Sequence, residues 1–266
     1  MPLVKSNGTE IYFEERGEGQ PLVLIMGLGA DGSLWEEHVK VYEKHFRCIL
    51  IDNRGAGRSG KPVGPYSTLM MADDVIGVMD ALKIQNTHIS GISMGGAIAQ
   101  EIALKCPARV RSITLVSTWP KCDAYTARIF EMFKSLIQTS DPIVFGRMLQ
   151  LWIFSTEYHD YHMDDLLRRE GQSMANSYPM PVHAFMAQCD ACIRHDTLER
   201  LDTINIPALI TVGDEDIFTP VRFSQSIAKK VRNSELFVLH GSGHTHHWEK
   251  LDEFNKKTLS FMQKCQ

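Results

Sequence analysis

The chain has no excess of basic residues: Lys and Arg number 28 against 32 Asp and Glu, a formal net charge of −4. That balance gives no electrostatic footprint for nucleic acid and no polybasic patch for an anionic membrane surface. No apolar run approaches the ~20 residues that cross a bilayer. The opening Met1-Pro2-Leu3-Val4-Lys5-Ser6-Asn7-Gly8 lacks both the charged region and the apolar stretch of a signal peptide. A cytoplasmic location is therefore expected. Cysteine is scarce, at six residues: Cys48, Cys106, Cys122, Cys189, Cys192 and Cys265. They are scattered through segments that read as strands and helices, as reduced thiols would be. Cys189-Asp190-Ala191-Cys192 has C-x-x-C spacing, but no second pair stands at a matching distance, which argues against zinc. Repeats and low-complexity segments are also missing.

What remains is a chain of 266 residues and 30.1 kDa, 44% hydrophobic, large enough for one sizeable core and long enough to carry an insertion. Glu10-Ile11-Tyr12-Phe13-Glu14 reads as a strand. Others follow at about 21–26, 46–52, 87–92, 111–116, 207–212 and 235–240. Helical patterns separate most of them, notably Met70 to Leu82. Strands alternating with helices predict an α/β fold, a mainly parallel sheet covered on both faces. From about Trp119 to Leu201 the strand signal stops and helical spacing takes over, as in Ile129–Ile137 and Val182–Cys189, with turns at Asp141-Pro142 and Tyr178-Pro179-Met180-Pro181. The expected organisation is a core of residues 1–118 and 202–266 interrupted by a helical insertion, 119–201.

Gly91-Ile92-Ser93-Met94-Gly95 is a G-x-S-x-G motif between the strand Thr87–Ile92 and a helix opening at Gly95-Gly96. A serine on such a turn is forced into a strained conformation, and the flanking glycines remove Cβ atoms that would clash with the neighbouring strand and helix. Its hydroxyl then stands exposed at the positive end of the helix. A nucleophilic serine needs a base and an orienting acid, and in this class of site they follow in the order Ser, acid, His. The apolar strand Pro207–Val212 opens into Gly213-Asp214-Glu215-Asp216, three carboxylates at a strand's carboxyl end, where open α/β sheets gather their chemistry. The strand Glu235–His240 runs into Gly241-Ser242-Gly243-His244.

With these motifs the chain resembles the α/β-hydrolase superfamily over nearly its whole length. The family pattern G-x-x-D-x-x-x-P lands its acid on Asp216, and G-H-x-x-x-x-E lands on Gly243, His244 and Glu249. Asp52-x-Arg54-Gly55-x-Gly57-x-Ser59 resembles the family's glycine-rich loop after the fourth strand. The chain is most similar to the 3-oxoadipate enol-lactonases and aclacinomycin-type methylesterases, the lactonases in particular at Gly64-Pro65-Tyr66-Ser67 and from Ala72-Asp73-Asp74 to Ser93. The resemblance implies a sheet of about eight strands and a helical cap above the serine. It implies catalysis by Ser93, His244 and Asp216, with His244 taking the serine proton as the hydroxyl attacks a carbonyl, Asp216 holding the imidazole, and an acyl-enzyme yielding to water. The oxyanion hole falls to the backbone amides of Leu28 and Met94. One departure stands at Met26, where the family usually carries histidine before the glycine; the sequence leaves open what anchors this loop.

Such a triad supplies nucleophile and base by itself, so no metal and no cofactor is expected. His244-Thr245-His246-His247 invites a metal reading, but the further acid and distant histidines of dinuclear hydrolases are not visible, and His246 and His247 read as bystanders. His38, His45, His159, His162 and His195 read as surface or capping residues. The insertion is rich in Met and aromatics, including Phe130, Phe133, Phe185, Met148 and Met186, most of them packing residues. Trp119, directly after the strand Ser112–Val116, and Trp152 are the candidate pocket residues, and a pocket walled this way favours an apolar substrate body. The expected activity is hydrolysis of a carboxylic ester or lactone of small, largely apolar character. C–C bond hydrolysis or perhydrolysis on the same triad, or a non-catalytic ligand receptor of the same fold, are the alternatives. The oligomeric state is open.

Overall fold

The computed structural model describes residues 2–265. Its eight strands are β1 (Leu3–Ser6), β2 (Thr9–Arg16), β3 (Gln20–Ile25), β4 (Phe46–Ile51), β5 (Thr87–Ile92), β6 (Val110–Val116), β7 (Ala208–Gly213) and β8 (Ser234–Leu239). They form one sheet in the order β1-β2-β4-β3-β5-β6-β7-β8. The pairs β1–β2 and β2–β4 are antiparallel, and every pairing from β4 across to β8 is parallel. Seven of these strands lie within two residues of where the sequence pattern puts them. The unforeseen one is β1, only four residues long and too short for alternation to register. It folds back on β2 through Asn7 and Gly8, both at positive φ (42° and 75°), a pair that matches the twist of a tight hairpin.

The helices are α1 (Glu36–Tyr42), α2 (Thr68–Ala81), α3 (Met94–Lys105), α4 (Ala124–Thr139), α5 (Pro142–Ile153), α6 (Thr156–Tyr161), α7 (Met163–Met174), α8 (Val182–Arg194), α9 (Val221–Lys230), α10 (His246–Glu249) and α11 (Leu251–Lys264). Alternate residues of the central strands feed two cores, as the period of two in a strand requires. Val23, Ile25, Ile49 and Ile51 join Val75, Ile98 and Ile227 on one face. Leu22, Leu24, Cys48 and Leu50 join Trp35, Tyr42 and Phe254 on the other. With both faces covered, β5 and β7 are buried at every position.

Helices α4 to α8 all fall between β6 and β7. Their starts are set by capping side chains that accept otherwise orphaned N–H groups. Asp123 accepts from Thr126 N, Asp141 from Ile143 N with Pro142 at the first helical position, and Ser155 from Tyr158 N. The six cysteines are all free.

Candidate active site

Strand β5 ends at Ile92 and α3 begins at Met94, which leaves Ser93 alone in the turn at φ 55°, ψ −116°. A non-glycine residue held there costs of order 1–3 kcal/mol and persists only where its surroundings over-determine it. Here they do. The Ser93 N–H donates to Val116 O at 2.8 Å, and the Ser93 carbonyl accepts from Gly96 N at 2.9 Å and from the Thr118 hydroxyl at 2.8 Å. The glycines are equally constrained. A Cβ on Gly91 would run into the Gly95 carbonyl, one on Gly95 into the Ile25 carbonyl of β3, and one on Gly96 into the Thr118 side chain. Ser93 is 6% exposed.

Asp216, one turn beyond β7, is enclosed by donors. Its Oδ1 accepts from Phe218 N (2.9 Å) and Thr219 N (2.7 Å), and its Oδ2 accepts from the Thr219 hydroxyl (2.7 Å) and His244 Nδ1 (2.9 Å). Burial alone would raise this carboxyl, but His244 and the Thr219 donors outweigh it and hold it below the ordinary carboxylate value. The neighbouring acids do other things. Asp214 accepts from His240 Nδ1 (2.7 Å) and Gly241 N (2.8 Å) at the surface, and Glu215 is exposed. Of the three carboxylates after β7, Asp216 is the one that meets His244.

Glu249 holds the histidine loop from below, accepting from Gly243 N (3.1 Å) and the Thr245 hydroxyl (2.9 Å) through Oε1 and from the Ser155 hydroxyl (2.6 Å) through Oε2. Thr245 N also donates to Ile153 O at 2.9 Å. The serine turn and the histidine loop are then tied to two adjacent residues, because the Ser117 hydroxyl donates to His244 O (2.8 Å) and the Thr118 hydroxyl to Ser93 O.

Gly27 lies directly against the serine: a Cβ there would sit 3.1 Å from Ser93 Cβ and 3.8 Å from its Oγ. The Asn53 amide donates to Met26 O (2.9 Å), Gly29 N donates to Gln188 Oε1 (3.0 Å), and Gly32 N donates to Asp52 Oδ1 (2.8 Å). These bonds answer the question left by Met26, whose side chain is buried in the core beside Leu24 and Trp35 rather than anchoring the loop. Among the described residues, the N–H groups of Leu28 and Met94 have no protein acceptor.

The histidines require a correction. His38 and His195, expected as surface or capping residues, are both buried, although His195 does stand at the C-cap of α8; each has both ring nitrogens engaged, His38 with Asn255 and His247, His195 with Thr68 and Thr197. Side-chain partners on both ring nitrogens make a buried neutral imidazole tolerable, and burial lowers His38 to about 4 and His195 to about 3. His246 is likewise buried, bonded to the Ser117 and Thr211 hydroxyls and lowered by burial to about 3.

Aromatic side chains surround the site. The Phe218 ring lies 5.0 Å from His244, and Phe130 and Phe133 lie 5.3 and 5.5 Å from Phe218. Trp119 is fully buried, not open to the space above the serine, and reaches this group through Phe130 at 5.6 Å; half-buried Trp152 reaches it through Phe133 at 6.4 Å. On the other side Phe185 covers Gly29, with Phe145 behind it at 5.5 Å. Sequence reasoning missed Phe218, Thr219, Ser117, Thr118, Asn53 and Gln188. Only Phe218 and Thr219 carried a signal, since both lie inside the span from Asp216 to Pro220.

The profile of the alpha/beta hydrolase fold matches residues 20–251. The chain belongs to the α/β-hydrolase family. Solved α/β-hydrolase structures similar to it include an enol-lactonase from Burkholderia xenovorans LB400, 25% identical, with a TM-score of 0.90 over 98% of this chain and 100% of that one. Est816, described as an N-acyl homoserine lactone degrading enzyme, is 30% identical, with a TM-score of 0.84 and the same coverage, 98% and 100%. A protein of Azorhizobium caulinodans named "Putative carbamate hydrolase RutD" is 29% identical over 261 residues, 98% of each chain. As an α/β-hydrolase, the chain is a hydrolase of small molecules.

Proposed function

We propose that the chain is a serine hydrolase that cleaves a carboxylic ester or lactone of a neutral, largely apolar small molecule. The observation that carries this reading is the fully enclosed bond between Asp216 Oδ2 and His244 Nδ1, 2.9 Å long, on a loop tied through Ser117 and Thr118 to the strained Ser93. With Nδ1–H donated to the carboxylate, Nε2 is the nitrogen left to take the Ser93 proton. The hydroxyl then attacks the substrate carbonyl, and the negative oxygen is received by the Leu28 and Met94 N–H groups. Removing one such donor costs about 2.7–4 kcal/mol of transition-state stabilisation. His244 returns the proton to the departing alcohol, and water repeats the sequence on the acyl-enzyme. Helices α4 to α8 serve as the cap that closes the site from solvent.

Charge supports the neutral substrate. Arg147 pairs with Glu170, Arg168 and Arg169 with Asp165, Lys134 with Glu131 and Asp190, and Arg194 donates to Tyr66 O. Arg128 is exposed. The aromatic rings beside His244 and Gly29 are Phe218 and Phe185, which stabilise no carboxylate. The test has two arms. A fluorophosphonate probe is expected to label Ser93, with labelling and turnover lost in Ser93→Ala; an adduct on another serine would refute the assignment. Neutral aryl esters and lactones are expected to exceed an acidic enol-lactone in kcat/KM. A hundredfold preference for the acidic substrate, about 2.7 kcal/mol, would reverse the charge argument. A carbamate ester belongs in the same panel, because the relative at 29% identity carries that name.

A further inference from the structure

An oxyanion hole works only if its donors are held still before the charge develops. The segment Met26-Gly27-Leu28-Gly29 is ill suited to hold itself: it follows the end of β3, contains two glycines, and Gly29 adopts φ 74°. Its fixed points come from elsewhere in the chain. Asn53 and Asp52 belong to the loop after β4, but Gln188 comes from α8, the last of the helices between β6 and β7.

Gln188 is fully buried, and both ends of its amide are engaged. Its Oε1 accepts from Gly29 N at 3.0 Å, and its Nε2 donates to Arg54 O at 2.8 Å. Arg54 is a rigid partner, because its guanidinium makes two bonds to Asp74, of 2.5 and 2.6 Å, with both side chains 4% exposed or less. One turn earlier on the same helix face, Phe185 lies on Gly29, so close that a Cβ there would be 3.2 Å from its ring. A buried amide bonded at both ends has one orientation available, since turning it would leave a donor and an acceptor unpaired.

We propose that Gln188 is a positioning residue: it holds Gly29, and through it the Leu28 N–H, in place beside Ser93, so that the oxyanion hole is formed only while α8 is seated on the core. This inference rests on the proposed serine chemistry. Gln188 touches neither substrate nor triad; it acts through the loop.

The test uses the full chain with p-nitrophenyl acetate and an uncharged fluorophosphonate. Gln188→Met keeps the length of the side chain and removes both bonds. It is expected to lower kcat by about 10- to 100-fold with KM changed less than about threefold, to slow fluorophosphonate labelling by a similar factor, and to leave the pH midpoint of activity where it was. Cys192→Ala, at another buried position of α8, is expected to lower Tm without these kinetic losses. If Gln188→Met keeps kcat and labelling within about twofold of the parent while Ser93→Ala is inactive, or if its loss is confined to KM, the inference is overturned and the proposed function stands. Turnover by Ser93→Ala at the parent rate would instead sink the proposed function and this inference with it. Should Gln188→Met fail to fold, amide exchange in the parent protein decides: Gly29 N–H exchanging at least about tenfold more slowly than Leu28 N–H supports the assignment, and equal rates overturn it.

Discussion

Strands β5 and β7 and helices α5 and α6 belong to one chain but are held by different means. No residue of β5 or β7 is accessible, whereas no residue of α5 or α6 is buried, and in α7 only Leu166 is. Val144, Leu151, Tyr161 and Met174 stand in solvent. The sheet fixes its loops by close packing, in which glycine positions are decided by tenths of an ångström. Of the inserted helices, α4 and α8 bury residues such as Phe130, Phe133, Phe185 and Cys192 in the same core as the sheet, whereas α5 to α7 are tied in by a few directed bonds, such as Ile153 O to Thr245 and Ser155 to Glu249. On the proposed reading, the groups that must not move sit on strand ends, and part of the surface that must fit a substrate sits on the more weakly packed helices.

The contrast is sharpest in catalysis. Asp216→Asn, at the end of β7, is expected to keep the fold and lower turnover by about four orders of magnitude, because an asparagine accepts the wrong histidine tautomer. Asp214→Asn, two residues earlier but bonded to His240 at the surface, is expected to change turnover less than about threefold. Steady-state kinetics on the two purified variants, with circular dichroism to verify folding, separate them. A reversal of the two effects would dissolve the proposed triad.

Acid is expected to undo the sheet core and the buried end of α8 before it touches α6 and α7. Burial lowers His38 and His88 to about 4 and His195 and His246 to about 3, while His159, His162 and His183 on α6 to α8 are not buried. A histidine whose folded value is lowered takes its proton more readily in the unfolded chain. Stability is therefore constant above the ordinary value of about 6.5 and falls as pH drops from there towards about 4. Each group contributes up to about 1.4 kcal/mol per pH unit inside that window. Calorimetry between pH 7.5 and 4.5 is expected to show a steep decline in Tm, shallower by about one proton in His88→Asn. A flat profile would mean that these imidazoles reach solvent.

The smallest effect tests the packing contrast itself. Gly146 in α5 and Gly171 in α7 have open space where a Cβ would go, so alanine at either is expected to stabilise by about 0.5–1 kcal/mol, read as a rise in Tm. At Gly91 the same change would drive a methyl into the Gly95 carbonyl and cost the fold.

The same division governs how much was legible in the sequence. Strands are short-range patterns, and seven of eight were readable; the serine turn announced itself because glycines on both sides have a mechanical reason to be there. The acid was selected by spacing to Pro220. What sequence could not convey were pairings between distant positions. His38 meets Asn255 and His247, more than two hundred residues away, and nothing local distinguishes it from a surface histidine. Gln188 looks like any polar residue on a helix until α8 folds over Gly29. Trp119 was placed at the correct strand end, but its complete burial depends on Phe130 and His195, which pack against it.

The pair Ser117-Thr118 lies just upstream of the inserted helices, so the spacing between the serine turn and the histidine loop is set before α4 begins. The stretch from α5 to α7, in which only Leu166 is buried, is thus the replaceable part. A grafted set of helices of different length would keep the proposed reactive geometry provided it returned a carbonyl for Thr245 and a hydroxyl for Glu249 and left α8 with its amide on Gly29. A lineage or a designer could exchange that outer layer while leaving the proposed reacting atoms in register.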